Sequence, residues 1–166
     1  MFKYWIIFIG SVALFYFFSL SPFYINHIEG WIGVQYAKVS SLILNFFGMN
    51  VLVADGQSMS NSVFSMQIAK GCDAVLPMVM VAAAIGSYPL ANWNSKWKGI
   101  LLGALMVVLI NIIRIISLFL IGIHAKDWFE FFHIEFWQIV FILFVIVYYI
   151  WWIKRNAAQP AKVVRN

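Results

Sequence analysis

Read from its N-terminus, the chain alternates long apolar runs with short polar breaks. Four runs stand out: YWIIFIGSVALFYFFSL (4–20), AVLPMVMVAAAIGSYPLA (74–91), GILLGALMVVLINIIRIISLFLIGI (99–123) and FWQIVFILFVIVYYIWW (136–152). A membrane-spanning helix needs roughly 17–25 mostly apolar residues, the range these runs cover. Short polar stretches, NWNSKWK (92–98) and HAKDWFEFFHIE (124–135), separate the last three. Trp93, Trp97, Trp128, Trp151 and Trp152 fall at the ends of the runs, where an interfacial aromatic belt sits.

The segment WIGVQYAKVSSLILNFFGMN (31–50) has a different pattern. Gln35, Lys38, Ser41 and Asn45 recur at helical spacing and draw a narrow polar stripe along an apolar helix. That suits a helix lying in the interface or re-entering the bilayer. A full crossing there reverses every later run and sends the basic 92–98 stretch outward. Beyond it VFSMQI (63–68) alternates, with Phe64, Met66 and Ile68 on one side and Ser65 and Gln67 on the other. VLVADGQ (51–57) supplies a hairpin partner.

The predicted fold is therefore an all-α integral membrane protein. It has about four transmembrane helices, one interfacial or re-entrant helix and a small extracytoplasmic hairpin. Residues 1–30 form a membrane anchor and outer loop, 31–70 the interfacial helix and hairpin, 71–153 the helical core with the candidate chemistry, and 154–166 a basic cytoplasmic tail. NAAQPAKVVRN reads as a disordered end.

Composition supports the class: 64% of residues are hydrophobic and 10% charged, against about 45–50% and 25% in soluble domains. The net charge of +5 is too scattered to form a nucleic-acid surface. Its distribution orients the helices instead. Lys3, Lys96, Lys98, Lys154, Arg155, Lys162 and Arg165 lie at the N-terminus, in 92–98 and in the tail, regions without an acid. Glu29, Asp55, Asp73, Asp127, Glu130 and Glu135 occupy the other connections. The positive-inside rule puts both termini in the cytoplasm and residues 21–73 and 124–135 outside, for a multi-pass protein of the cytoplasmic (inner) membrane. The first run could serve as a signal peptide, but Pro22 directly after Ser19-Leu20-Ser21 opposes cleavage there, so it reads as an anchor.

Polar residues inside apolar runs mark the candidate chemistry. Arg114 stands in VVLINIIRIISLFL, sixteen residues beyond Lys98, or about 24 Å of helix. Burying an arginine near the centre of a membrane helix costs about 2.5–3.5 kcal/mol on insertion scales, so it marks a functional site by default. Asn111, Arg114 and Ser117 make a short polar stripe, and Gly99 and Gly103 a GxxxG pair for close helix approach. The plainer reading of Arg114 is a structural partner for an acid or for carbonyls.

Cys72, the only cysteine, opens the run at 74–91. A lone cysteine is commonly a small buried hydrophobe. Here it stands at the outer start of a helix, with Pro77 in the first turn, and helix N-termini favour the reactive thiolate. His133, in EFFHIEF, lies at the outer start of the last run, His124 at the outer end of the arginine run, and His27 in the first outer loop. A single interfacial histidine is more often a structural hydrogen-bonder. No H-x₃-H or Cys/His cluster calls for a metal, and no phosphate loop or G-x-S-x-G elbow is present, so no cofactor is expected. The predicted topology carries Cys72, Arg114 and His133 to the outer face on three different helices. A thiol, an imidazole and a guanidinium supply nucleophile, acid/base and anion stabiliser for acyl transfer.

GCDAV at the head of one helix, NIIRI inside the next and FHIEF at the start of another resemble the exosortase/archaeosortase family, over roughly residues 60–150. The short length resembles a compact branch such as exosortase H. The resemblance implies a membrane cysteine transpeptidase with Cys72 as nucleophile and Arg114 and His133 as its essential partners. Asn111, Asp73 and Ser117 stand in support. It implies an exported substrate with a C-terminal recognition motif, a membrane helix and a basic end, cut on the outer side and passed to an acceptor; membrane lipid is the other partner. The family often has a small polar residue and then glycine after the cysteine, whereas this chain has Asp73-Ala74. Asp73 opposes a neighbouring thiolate unless it turns toward Lys70 or Arg114. Two other readings stay open: a non-enzymatic assembly or transport subunit held together by Arg114, and a purely hydrolytic intramembrane protease.

Overall fold

A computed structural model describes residues 2–54, 57–68 and 71–157. Asp55, Lys70 and the tail from residue 158, for which the sequence predicts disorder, lie outside the described residues. The helices are α1 (Phe2–Ser19), α2 (Gly30–Phe46), α3 (Val75–Ser87), α4 (Trp93–His124) and α5 (Trp137–Ala157). Strands β1 (Leu52–Ala54), β2 (Ser58–Ser60) and β3 (Ser65–Gln67) lie between α2 and α3. Wider π-type turns at Tyr24–Glu29 and Phe131–Phe136 lead into α2 and α5.

The longest element is α4, with 32 residues. Asn92 caps it by accepting a hydrogen bond from the Ser95 N–H at 2.8 Å. NWNSKWK, expected as a loop, therefore forms the cap and first turns of the helix. At about 48 Å, α4 is longer than the roughly 30 Å hydrocarbon core. The helix expected at 74–91 is shorter than its apolar run. Pro89 disfavours helical backbone at the preceding residue, so Tyr88 turns extended (φ −67°, ψ 117°) and α3 stops after 13 residues.

Two apolar cores stack along α4. In the first, Val81 and Ile85 of α3, Val107 of α4 and Phe141, Val145, Tyr148 and Trp152 of α5 pack together. In the second, Tyr36, Ala37 and Leu44 of α2 and Met59 of β2 meet Ile115 and Phe119 of α4. Gly99 and Gly103 admit α5 and α3 to the first core. Trp152 lies against Gly99, and the Tyr148 hydroxyl donates to the Gly99 carbonyl at 2.5 Å. A Cβ at Gly103 would stand 2.6 Å from Val81 and 2.7 Å from Tyr148. Cys72 belongs to the second core and Ala74 to the first, so residues 72–74 are the seam between them.

The sheet differs from the expected hairpin. VLVADGQ and VFSMQI do not pair with each other; β2 runs between them, and the strand order is β1-β2-β3, all antiparallel. QSMS is too short and polar to announce a strand, yet Met59 at its centre is fully buried. Asn61 closes the β2–β3 turn by accepting from the Val63 and Phe64 N–H groups at 3.0 and 2.8 Å.

By length and composition, α4 and the helical stretch Lys126–Asn156 can each cross a bilayer; α1 and α2, bent by 80°, make a third span if counted as one broken helix. Large apolar side chains such as Ile9, Leu14, Leu109, Leu143 and Val147 face outward, as lipid contact requires.

Candidate active site

The site is built where α3 begins. Gly71 (φ 85°) and Ala74 (φ 55°) both lie in the left-handed region, on either side of Cys72-Asp73. The chain therefore turns sharply before the helix and after the thiol. A non-glycine residue in that region costs of order 1–3 kcal/mol and persists only when its surroundings fix it. Asp73 supplies part of that fixing. Its Oδ1 accepts from the Val75 N–H at 3.2 Å, at the start of α3. Its Oδ2 accepts from the Tyr24 hydroxyl at 2.8 Å. Asp73 thus points toward the α1–α2 bend, and neither of these partners is Arg114.

Asn111 holds the other side of the thiol. Its side chain is fully buried, and Nδ2 donates to the Cys72 carbonyl at 2.8 Å. One turn on, Arg114 is 8% exposed. Its Nη2 donates toward Cys72 Sγ at 3.7 Å and to the His133 carbonyl at 3.3 Å, while Nη1 reaches the Gly71 carbonyl at 3.5 Å. The guanidinium also lies 5.8 Å from the centre of the Phe141 ring. None of these partners is a carboxylate. His133 comes from the π-type turn before α5, a widened geometry that often accompanies function. Its Nε2 is 3.4 Å from Cys72 Sγ, and its ring leans on Phe129 at 5.6 Å.

Cys72, Arg114, His133, Asn111 and Asp73 are therefore brought together. Ser117 is not: its hydroxyl donates to the Arg114 carbonyl one turn back at 2.8 Å and serves its own helix. His27 stacks on Phe23 and contacts that residue's carbonyl through Nδ1 at 3.2 Å. Tyr24 is the participant that sequence reasoning missed, since a tyrosine in an aromatic-rich stretch carries no distinguishing pattern. Among the described residues no cluster of His, Cys, Asp and Glu is arranged to hold a metal ion.

Two cavities meet at the thiol. One, of about 480 Å³, lies on the sheet side and is lined by β3, Phe129, Glu130 and Lys126. The other, of about 470 Å³, runs between α3 and α5 and is lined by Leu76, Met80, Gln138, Phe141 and Val145. Cys72, Arg114, His133 and Ile134 border both. The arrangement offers a nucleophile with an imidazole and a fixed cation on it, reachable from a partly polar chamber and from an apolar groove.

The profile of one family, described as Transmembrane exosortase (Exosortase_EpsH), matches residues 3–151. No curated protein and no solved structure is significantly similar to the chain.

Proposed function

The chain belongs to the transmembrane exosortase family, and on that premise we propose that it is a membrane-embedded cysteine peptidase and transpeptidase acting on exported proteins. Residues 71–153 form its catalytic core, and four segments cross the inner membrane: α1, α3 with the turn that follows it to Asn92, α4, and the helix ending in α5. Both termini are cytoplasmic and the site faces outward. The observation that carries the reading is the approach of His133 Nε2 and Arg114 Nη2 to Cys72 Sγ, 3.4 and 3.7 Å away, at the meeting of the two cavities.

The substrate's C-terminal membrane helix lies in the apolar groove between α3 and α5, and the segment before it occupies the chamber under the sheet. His133 takes the thiol proton, and the Cys72 thiolate attacks the scissile carbonyl carbon. The tetrahedral oxyanion forms beside the Arg114 guanidinium, whose positive charge has little competing water there. Collapse breaks the C–N bond, His133 returns its proton to the leaving amine, and a thioester to Cys72 remains. An acceptor amine, deprotonated by His133, then attacks the thioester and releases the thiol.

Arg114's partners are carbonyls, a thiol and a ring. The carbonyls alone would also serve an assembly subunit; it is the contact with the thiol, which such a subunit does not need, that favours the enzyme reading. The test is co-expression with an exported protein carrying a motif, an apolar helix and a basic end, followed by substrate mass. Wild type trims it and Cys72→Ala does not. Trimming by both would sink the proposal. A trimmed product ending in a free carboxylate, with no added group, would make the enzyme a hydrolase.

A further inference from the structure

The sheet ends on an open edge beside the thiol. β3 is the outer strand of β1-β2-β3. Its pairing with β2 is Ser60↔Ser65, Met59↔Met66 and Ser58↔Gln67. The Ile68 N–H donates to the Gln57 carbonyl at 3.0 Å and the Asn61 N–H to the Phe64 carbonyl at 2.9 Å, extending the ladder at both ends. In an antiparallel ladder, hydrogen-bonded and non-hydrogen-bonded pairs alternate. Phe64, Met66 and Ile68 therefore turn their main-chain groups toward β2, and Ser65 and Gln67 turn theirs to the free edge. Proteins usually guard such an edge with lysine or proline; neither occurs from Val63 to Ile68. Ser65 and Gln67 are exposed, and both line the chamber that Cys72, Arg114 and His133 border.

The edge also has a direction. Phe64 packs against Gly122 near the outer end of α4. Cys72 meets α4 at Asn111 and Arg114, about 12–16 Å lower by the helical rise. The chain thus descends from the start of β3 toward the thiol. A substrate whose exported part is outside and whose helix lies between α3 and α5 descends the same way.

Resting on the function proposed above, we infer that the substrate segment just before the scissile bond binds as an extended strand added to the free edge of β3, parallel to it. The main-chain groups of Ser65 and Gln67 are its partners. Strand addition of this kind draws affinity from the main chain and selects through alternate side chains. Here those alternate side chains face the chamber wall of Phe64, Phe129, Ile115 and Leu118.

The probe is an exported reporter fused to the C-terminal motif, helix and basic end of a protein from the same genome. Gln67→Pro deletes one outward N–H and lowers processing, normalised to enzyme abundance, by about tenfold, the scale of one or two lost backbone hydrogen bonds. Val53→Pro, on the opposite edge, leaves processing at the wild-type level. Independently, Gln67→Cys in the Cys72→Ala chain is oxidised against single cysteines walked along the reporter segment. Crosslinks at every second position are expected, a period that fitness of the proline variant cannot affect. Equal crosslinking at all positions, or undiminished processing by Gln67→Pro, overturns strand addition while leaving the enzyme reading intact. Processing by Cys72→Ala itself overturns both.

Discussion

At the scale of single residues, the site depends on what one guanidinium does at once. Arg114 reaches Cys72 Sγ and the carbonyls of Gly71 and His133, tying the turn before α3 to the turn before α5. Lysine keeps the charge but not the planar fork. Arg114→Lys should therefore accumulate in the membrane yet lose about 100-fold in processing, the lower range for removing one oxyanion donor. The rate of Cys72 alkylation by iodoacetamide gives a check that needs no substrate: it should fall in Arg114→Lys, and an unchanged rate would remove Arg114 from thiolate stabilisation. His133→Ala should lose about 10²–10⁴-fold, as for a general acid–base. Cys72, Arg114 and His133 stand out in the sequence as candidates because a thiol, a cation and an imidazole are conspicuous among apolar residues. The partner of Ser117, the Arg114 carbonyl, could not be read from the sequence because helical spacing shows which face a residue shares and not which atom its hydroxyl meets. The partner of Asp73 was illegible because Tyr24 lies 49 positions away, across a bend no local pattern announces.

At the scale of elements, one hydrogen bond couples the α1–α2 bend to the start of α3. Tyr24→Phe leaves the buried Asp73 carboxylate without that donor, a loss of about 1–3 kcal/mol, read as a lower melting temperature in detergent and slower processing. Unchanged values would make the contact incidental. Ala74 occupies a backbone conformation glycine prefers. Ala74→Gly relieves the strain but removes a buried methyl, terms of similar size and opposite sign. Its melting temperature should stay near wild type. Gly103→Leu has no such compensation, since Val81 and Tyr148 already occupy the space of its Cβ. It should prevent stable accumulation, seen as loss of the monodisperse peak in size-exclusion chromatography. Hydropathy located the helices but not their ends, which depend on Asn92 as a cap and Pro89 as a stop. Both outer strands of the sheet fall in the segments expected to form a hairpin, but the strand between them escaped notice for a different reason. It is three residues long and owes its place to the burial of Met59 under α2 and α4.

At the scale of the molecule, everything turns on sidedness. α4 runs from tryptophans and lysines at one end to the sheet at the other, and the thiol lies about two-thirds of the way along it. If the lysine end is cytoplasmic, the chamber opens outward, where exported substrates are. That orientation rests on α1 and α2 together contributing a single crossing, which their 80° bend permits. Two separate crossings would turn the site toward the cytoplasm. The chain itself provides the tool to decide, because Cys72→Ala is free of cysteine. Single cysteines are then placed at three exposed positions: Ser62 in the β2–β3 turn, Asp127 before α5, and Asn94 at the start of α4. A membrane-impermeant maleimide should label Ser62→Cys and Asp127→Cys in intact cells, and Asn94→Cys only after permeabilisation. If α2 crosses on its own, Asn94→Cys becomes the labelled site and Asp127→Cys the protected one. The thiol would then face the compartment its substrates have left, and neither the peptidase reading nor the strand addition at β3 could stand.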